Sequence, residues 1–168
     1  MEKALETPGQ PVRRGTMAHE HDVYALLADS AAAQGDLAGV QRYAPRAEEL
    51  ARRDDHRLYL AIAQRAQGIA QRLVGEHGEA EAQLNQALES FREMGARWQL
   101  GRTLVEMGEL ALARSKDGAA HGHYQQAMAA FEELQAAPDA ARVRVKLESI
   151  AGKSERKGAR RKGVGRGS

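Results

Sequence analysis

Histidine is the residue type in this sequence best suited to binding a metal ion. Four of the six histidines form two His-x-His pairs. In a helix, side chains at positions i and i+2 point in different directions, so such a pair does not readily share one ion. A zinc site needs three or four ligands, and no acidic residue completes such a set at a recognisable spacing. We therefore predict surface histidines and no metal site. The six are His19, His21, His56, His77, His121 and His123.

Other kinds of chemistry find less support in the sequence. There is no cysteine, which excludes disulfides and every thiolate metal site. Neither a glycine-rich phosphate loop nor a nucleophile elbow is present. Carboxylates are abundant, but they fall on the polar faces of predicted helices, where side chains are usually solvated. We therefore expect no catalytic residue, no cofactor and no enzymatic activity.

The composition indicates an all-α protein. Alanine, glutamate, leucine, arginine and glutamine dominate the sequence, and these residues lose little rotamer freedom in a helix. Aromatic residues make up 4% of the chain, so the core must be built mainly from Ala, Leu and Met. Such a core spreads its packing over many small contacts.

A shift of 40 residues aligns the chain with itself, which indicates internal repeats. Small residues recur at two positions of the repeat, and a phenylalanine recurs at a third. The small residues would let neighbouring helices approach closely, and the phenylalanines would fill the space between units. The aligned sets are Ala28, Gly68 and Gly108, then Ala47, Ala87 and Ala127, and finally Phe91 and Phe131.

Each unit has the pattern of a helix, a tight turn and a second helix. In unit two, Ala80, Leu84, Ala87 and Phe91 lie on one helical face. Glycine-containing turn signals separate the apolar runs, and Pro45 predicts a kink or a frayed start in the second helix. Seven helices are predicted, at about 20–34, 37–53, 56–74, 77–94, 97–115, 117–135 and 138–151.

Charge and composition divide the chain into three parts. Residues 1–19 are expected to be flexible, and residues 20–152 form the helical repeat domain with a net charge of −5. Residues 153–168 carry a net charge of +6 and are expected to be a disordered basic tail. No signal peptide and no run of about 18 apolar residues is present, so we expect a cytoplasmic protein without a membrane span.

The stretch 101–134 and the segment 87–96 resemble the tetratricopeptide repeat. The resemblance covers roughly residues 20–151, with a unit longer than the usual length of about 34 residues. Units of this length are similar to the arrays at the C-termini of bacterial multidomain signalling proteins. The resemblance implies a right-handed α-solenoid of antiparallel helix pairs, which binds a peptide or partner protein in a concave groove.

Transferring the groove positions of that family to this sequence gives nine candidate partner-binding residues on the first helices of the units. Two interpretations of the arginines remain open: they form a cluster that receives carboxylates from a partner, or they are solvated and paired with Glu106 and Glu109. The nine residues are Asp22, Asp29, Ile62, Arg65, Ile69, Arg72, Arg102, Val105 and Glu109.

Three glutamines depart from the family pattern. Gln64, Gln67 and Gln71 occupy positions that tetratricopeptide repeats normally fill with bulky apolar residues. Burying an unpaired amide costs on the order of 1–3 kcal/mol. Either these glutamines form hydrogen bonds to each other across helices, or the first helix of unit two is rotated.

Three functional hypotheses follow. The leading one is a non-catalytic scaffold that binds a protein or peptide through the groove. In the second, the basic residues of Lys153–Arg166 attract nucleic acid or an acidic surface, which makes binding weaken steeply with ionic strength. In the third, apolar ends without polar caps stack into a homo-oligomer. The tail also allows two further roles, as a solubilising segment or as a segment folded back on the acidic body.

Overall fold

The computed structural model describes the backbone of residues 19–163 and the side chains of residues 19–153. Across that range it consists of seven α-helices and contains no strand, which confirms the all-α prediction. Consecutive helices pack against each other along the chain, as in an α-solenoid. The helices are Glu20–Gln34 (α1), Leu37–Arg53 (α2), Arg57–Leu73 (α3), His77–Glu93 (α4), Arg97–Ala113 (α5), Asp117–Glu133 (α6) and Ala137–Gly163 (α7).

The 40-residue sequence period appears directly in the positions of the helices. The second helices α2, α4 and α6 begin at residues 37, 77 and 117, and the first helices α3, α5 and α7 begin at residues 57, 97 and 137. Helices α2 to α6 all contain 17 residues. The repeat therefore has a uniform geometry over most of its length.

A left-handed backbone conformation recurs every 20 residues, once in each turn between helices. The residue that follows it donates its backbone N–H to a carbonyl five positions earlier, as Asp36 does to Ala31 (2.9 Å) and Ala136 to Phe131 (2.8 Å). This hydrogen bond is typical of a Schellman motif, which ends a helix sharply. The left-handed residues are Gly35, Asp55, Gly75, Gly95, Ser115 and Gln135, with φ between 51° and 86°.

Replacing Gln135 by glycine is expected to stabilise the protein. A side chain in the left-handed region costs about 1–2 kcal/mol, and the greater entropy of glycine in the unfolded chain offsets part of that gain. We expect Gln135→Gly to raise the free energy of unfolding by about 1 kcal/mol in urea denaturation. Gly75→Ala is the opposite change at an equivalent position with open space around it, and it should lower stability. Equal stabilities for both variants and the parent chain would contradict this account.

The small residues of the repeat lie where helices approach closely, as the period predicted. A Cβ added at Gly68 would lie 2.8 Å from Cγ of Leu84, and one added at Gly108 would lie within 2.8 Å of three ring carbons of Tyr124. Phe91 and Phe131 are both fully buried in the core. The first and second helices of units two and three therefore meet at glycines that leave no room for a side chain.

Two predictions about helix ends are wrong: the frayed start that was one of the two alternatives for α2, and the end of the last helix. The start of α2 is not frayed: the Asp36 side chain accepts a hydrogen bond from the Gly39 N–H (3.0 Å), and the helix continues through Pro45 to Arg53. The last helix does not end near residue 151 but continues to Gly163, because Lys, Glu and Arg sustain a helix and no turn motif interrupts it.

Residues 164–168 of the predicted tail lie outside the described residues, as does the predicted N-terminal segment except His19. Among the described helices, none has both the length and the apolar content needed to cross a bilayer.

Candidate partner-binding groove

The first helices of the units form one face of the protein, here called the first-helix face and made of α1, α3, α5 and α7. Axes of packed helices lie about 8–10 Å apart, so α1 and α5 would be separated by about 16–20 Å in a flat row. Asp29 on α1 nevertheless contacts Arg102 on α5, with an Oδ2–Nη1 distance of 2.8 Å. This contact across α3 shows that α1, α3 and α5 contribute side chains to one continuous surface.

A buried ion cluster joins three of these helices. Arg65 on α3 donates hydrogen bonds to Asp29 on α1 (2.8 Å) and to the Gln99 side chain on α5 (2.6 Å). Its side chain is only 1% exposed, and the guanidinium lies 5.4 Å from the centre of the Phe91 ring. Arg65 is therefore a core residue that holds three units together, and it is not accessible to a partner.

The electrostatics of this cluster favour an ionised Asp29. Burial alone would raise the pKa of its carboxyl group, but the charges and hydrogen bonds of Arg65 and Arg102 outweigh burial and lower the pKa below its ordinary value. Burial lowers the pKa of Arg65 in turn, although the charge of Asp29 opposes this shift. Each charge therefore favours the ionised form of the other in the core.

Two further charged groove positions, Arg72 and Glu109, are also paired within the protein. Arg72 donates a hydrogen bond to Glu106 (3.1 Å), while Glu109 accepts hydrogen bonds from Lys146 and from the Tyr124 hydroxyl. Of the two interpretations of the arginines, the paired one describes the structure, but Arg72 with Glu106 is the one expected pair that forms, and Arg65 is buried and not solvated. Asp29 pairs with Arg65 and Arg102, and Lys146 pairs with Glu109.

The structure does not bring all nine predicted groove residues together on an accessible surface. Ile62 and Ile69 are buried in the core. Asp22 lies two turns before Asp29 on α1, with its carboxylate 2.9 Å from His21 Nε2. The third apolar candidate, Val105, lines a cavity between α5 and α7.

The three unusual glutamines are explained mainly by hydrogen bonds between helices. Gln64 donates to the Gln86 side chain on α4 (3.0 Å), and Gln67 donates to Glu48 on α2 (2.9 Å). Each of these two amides therefore has a hydrogen-bond partner on a neighbouring helix. The partners are Gln86 and Glu48, and the three glutamines do not bond to each other. The side-chain oxygen of Gln71 is buried without a hydrogen-bond partner.

A cavity of about 250 Å³ lies between α5 and α7 on the first-helix face. Its apolar lining comes from Val105, Phe131 and Val143. Charged side chains of both signs surround this apolar lining, and two of the predicted groove residues, Arg102 and Val105, are among those that line the cavity. The charged lining residues are Arg102, Glu106, Asp139, Arg142 and Lys146. A larger cavity of about 290 Å³ lies between α2 and α3 beside Pro45 and contains none of the predicted groove residues.

Trp98 contacts two residues that line the cavity between α5 and α7, and the sequence analysis missed it. Its indole N–H donates to Asp139 (3.2 Å), and Arg102 lies 4.8 Å from the ring centre. The side chain is 43% exposed, which is unusual for a large aromatic residue in a chain with so few of them. It is the single tryptophan of the sequence, and tryptophan is enriched at binding hot spots. Its presence could therefore have indicated a binding residue from the sequence alone.

The prediction that all histidines lie on the surface is wrong for His21. Its side chain is 2% exposed, and it packs beside His19, His56 and Tyr59, with ring centres 4.7–5.4 Å away. His21 is on the first turn of α1, and His56 directly precedes α3. The spacing rule for helical His-x-His pairs could not reveal this contact, because it joins residues from different helices.

Comparison with known proteins assigns the chain to no family. No family model matches the sequence, and no curated protein matches it at a significant level. The tetratricopeptide resemblance therefore stays a prediction based on the repeated residues.

Proposed function

We propose that the protein is a non-catalytic scaffold that binds a segment of another protein in the groove between α5 and α7. The observation that carries this proposal is the cavity on the first-helix face, which has an apolar floor and two lining residues, Arg102 and Asp139, in contact with the exposed Trp98. An accessible apolar recess with a few convergent polar groups is the usual form of a binding site. The resemblance to tetratricopeptide repeats supports the same use of this face.

The charges around the cavity indicate what kind of segment fits it. Arg102 is paired with Asp29, Arg142 with Asp139, and Lys146 with Glu109. Because each of these cations already has a carboxylate partner, the groove has no unpaired arginine cluster among its lining residues to attract a strongly acidic peptide. It suits a segment that places one apolar side chain against Val105, the half-buried member of the apolar lining, and polar groups of either charge along the rim.

The ion pairs also keep the groove in a defined shape before binding. Arg102 contacts Asp29 and the Trp98 ring, and Trp98 is itself hydrogen-bonded to Asp139. Side chains held in this way lose less conformational entropy when a partner binds, which favours affinity. The proposed site therefore needs little rearrangement to accept a partner.

Truncating Trp98 should weaken partner binding strongly. Peptides selected from a random library displayed on phage, using the full chain as the target, provide the probe. We expect Trp98→Ala to reduce the affinity for the selected peptides at least about 30-fold, which corresponds to a hot-spot loss of about 2 kcal/mol. Fluorescence polarisation with labelled peptides measures this change. Val105→Phe, which adds volume inside the cavity, should also reduce binding.

A matched control tests whether truncating any exposed apolar side chain would weaken peptide binding equally. Leu73 at the end of α3 is 46% exposed, close to the value for Trp98, and it does not line the cavity. Leu73→Ala should leave the peptide affinity unchanged. Selection of peptides that bind Trp98→Ala and Val105→Phe as tightly as the parent chain would overturn the proposed groove.

A further inference from the structure

We propose that His21, Asp22 and His56 form a binding site for one divalent transition-metal ion. The site lies where the first turn of α1 meets the turn between α2 and α3, away from the groove between α5 and α7. One ligand atom from each residue lies within 4.8 Å of the other two. Two imidazoles and a carboxylate are the donor set that suits ions such as Zn²⁺, Co²⁺ and Ni²⁺.

The hydrogen bonding of these three residues supports a ligand between them. His21 Nε2, Asp22 Oδ1 and His56 Nδ1 are all buried, and none has a hydrogen-bond partner. His21 Nε2 and Asp22 Oδ1 are 2.9 Å apart, but they are not aligned for a hydrogen bond. Buried polar atoms without partners are rare and costly, and here each of the three clustered residues has one.

Asp54 supplies the outer contact that a metal-binding histidine usually has. Its carboxylate lies 2.9 Å from His21 Nδ1, on the ring edge opposite to Nε2. A proton on Nδ1 donated to this carboxylate leaves Nε2 unprotonated and directed at Asp22 and His56. Carboxylate–histidine–metal arrangements of this kind orient the ring and raise its basicity as a ligand.

The alternative role for the same contacts is a buried imidazolium. A doubly protonated His21 would lie between Asp22 and Asp54 as an ion pair, without a metal. That alternative leaves His56 Nδ1 without a function and without a partner. Metal binding accounts for all three unpartnered atoms.

Small movements bring the ligands to metal-binding distances. With metal–ligand bonds of about 2.0–2.1 Å, ligand atoms in a tetrahedral site are about 3.3 Å apart, so the widest pair must close by about 1.5 Å. His21 is in the first turn of its helix, and His56 is the residue before α3, so side-chain rotation and small shifts at the helix ends can supply this movement. Water would complete the coordination shell, and the ion would link α1 to the start of unit two.

Zinc binding to the full chain, produced without a polyhistidine tag, tests the proposal. Isothermal titration calorimetry should detect one tightly bound Zn²⁺ per chain. Because loss of an outer-shell partner alone costs about 10–100-fold in affinity, we expect that range for Asp54→Asn and a larger loss for His56→Gln. Asp22→Asn provides a second ligand variant, and circular dichroism without metal shows whether each variant is folded.

The second His-x-His pair provides a matched control. His121 on α6 is exposed, so His121→Gln should leave zinc binding unchanged. Nuclear magnetic resonance of the imidazole nitrogens should show zinc-dependent shifts at His21 Nε2 and His56 Nδ1. Absence of stoichiometric binding, or equal affinities for the parent chain, His56→Gln and Asp22→Asn, would overturn the site and leave the buried imidazolium as the role of His21.

Discussion

Asp29→Ala is expected to lower the free energy of unfolding by about 3–5 kcal/mol, because it removes one partner of a buried ion pair. Arg65 is almost completely buried, and Asp29 is the carboxylate to which it donates. The variant would leave the guanidinium in the core without an opposite charge at hydrogen-bonding distance. Arg102 would lose the same partner. Urea denaturation followed by circular dichroism measures the effect.

An exposed ion pair between helices provides the control for this prediction. Arg57 on α3 pairs with Glu93 on α4, and both side chains are about half exposed. Pairs of this kind contribute about 0–1 kcal/mol, so Glu93→Ala should change stability by less than about 1 kcal/mol. Similar losses of unfolding free energy for Asp29→Ala and Glu93→Ala would show that the buried Arg65 pair contributes no more to stability than an exposed pair.

The pH dependence of stability should change in the same variant. The arginines hold the pKa of Asp29 below its ordinary value despite burial. A carboxyl group with a lowered pKa in the folded state stabilises the fold above its unfolded pKa. This contribution is lost as the pH falls from the ordinary value of 3.8 towards the lower folded pKa. Asp29→Ala should therefore lose less stability than the parent chain over that acidic range.

Gly108→Ala is expected to destabilise the protein, although alanine favours a helix. An added Cβ would lie within 2.8 Å of three ring carbons of Tyr124, a buried residue whose hydroxyl donates to Glu109 (2.7 Å). Overpacking of a core typically costs about 1–3 kcal/mol and occasionally more, while the helix propensity of alanine returns up to about 1 kcal/mol. We expect a net loss of about 1–2 kcal/mol in urea denaturation.

Gly122 allows the packing and propensity effects to be separated. It lies within α6, and a Cβ added there would meet no atom within 4 Å. Gly122→Ala should therefore stabilise the protein by about 0.5–1 kcal/mol through helix propensity alone. If both glycine variants were stabilising, close approach of α5 and α6 at Gly108 could not be a constraint on this fold.

Most of the fold could be predicted from the sequence because its determinants are local. Helix-forming composition, apolar faces and turn signals located all seven helices, with most boundaries within two residues of those observed. The recurrence of small residues also predicted the close approaches at Gly68 and Gly108. The left-handed turns at Ser115 and Gln135 were less evident, since neither residue favours that conformation.

The candidate sites depended on contacts that no local pattern contains. Asp29 and Arg102 are 73 positions apart, and Trp98 meets Asp139 from the following unit. His21 and His56 come together only because α1 packs beside the turn before α3.

The sequence alone therefore determined the period, the helices and the small-residue seams, because backbone propensity and side-chain periodicity act within a single helix or between neighbours. Only the tertiary structure decided which charges are paired, which arginine is buried and which histidines meet. Those outcomes depend on the rotation of each helix about its axis and on the curvature of the array, which are set by the packing of all the units together.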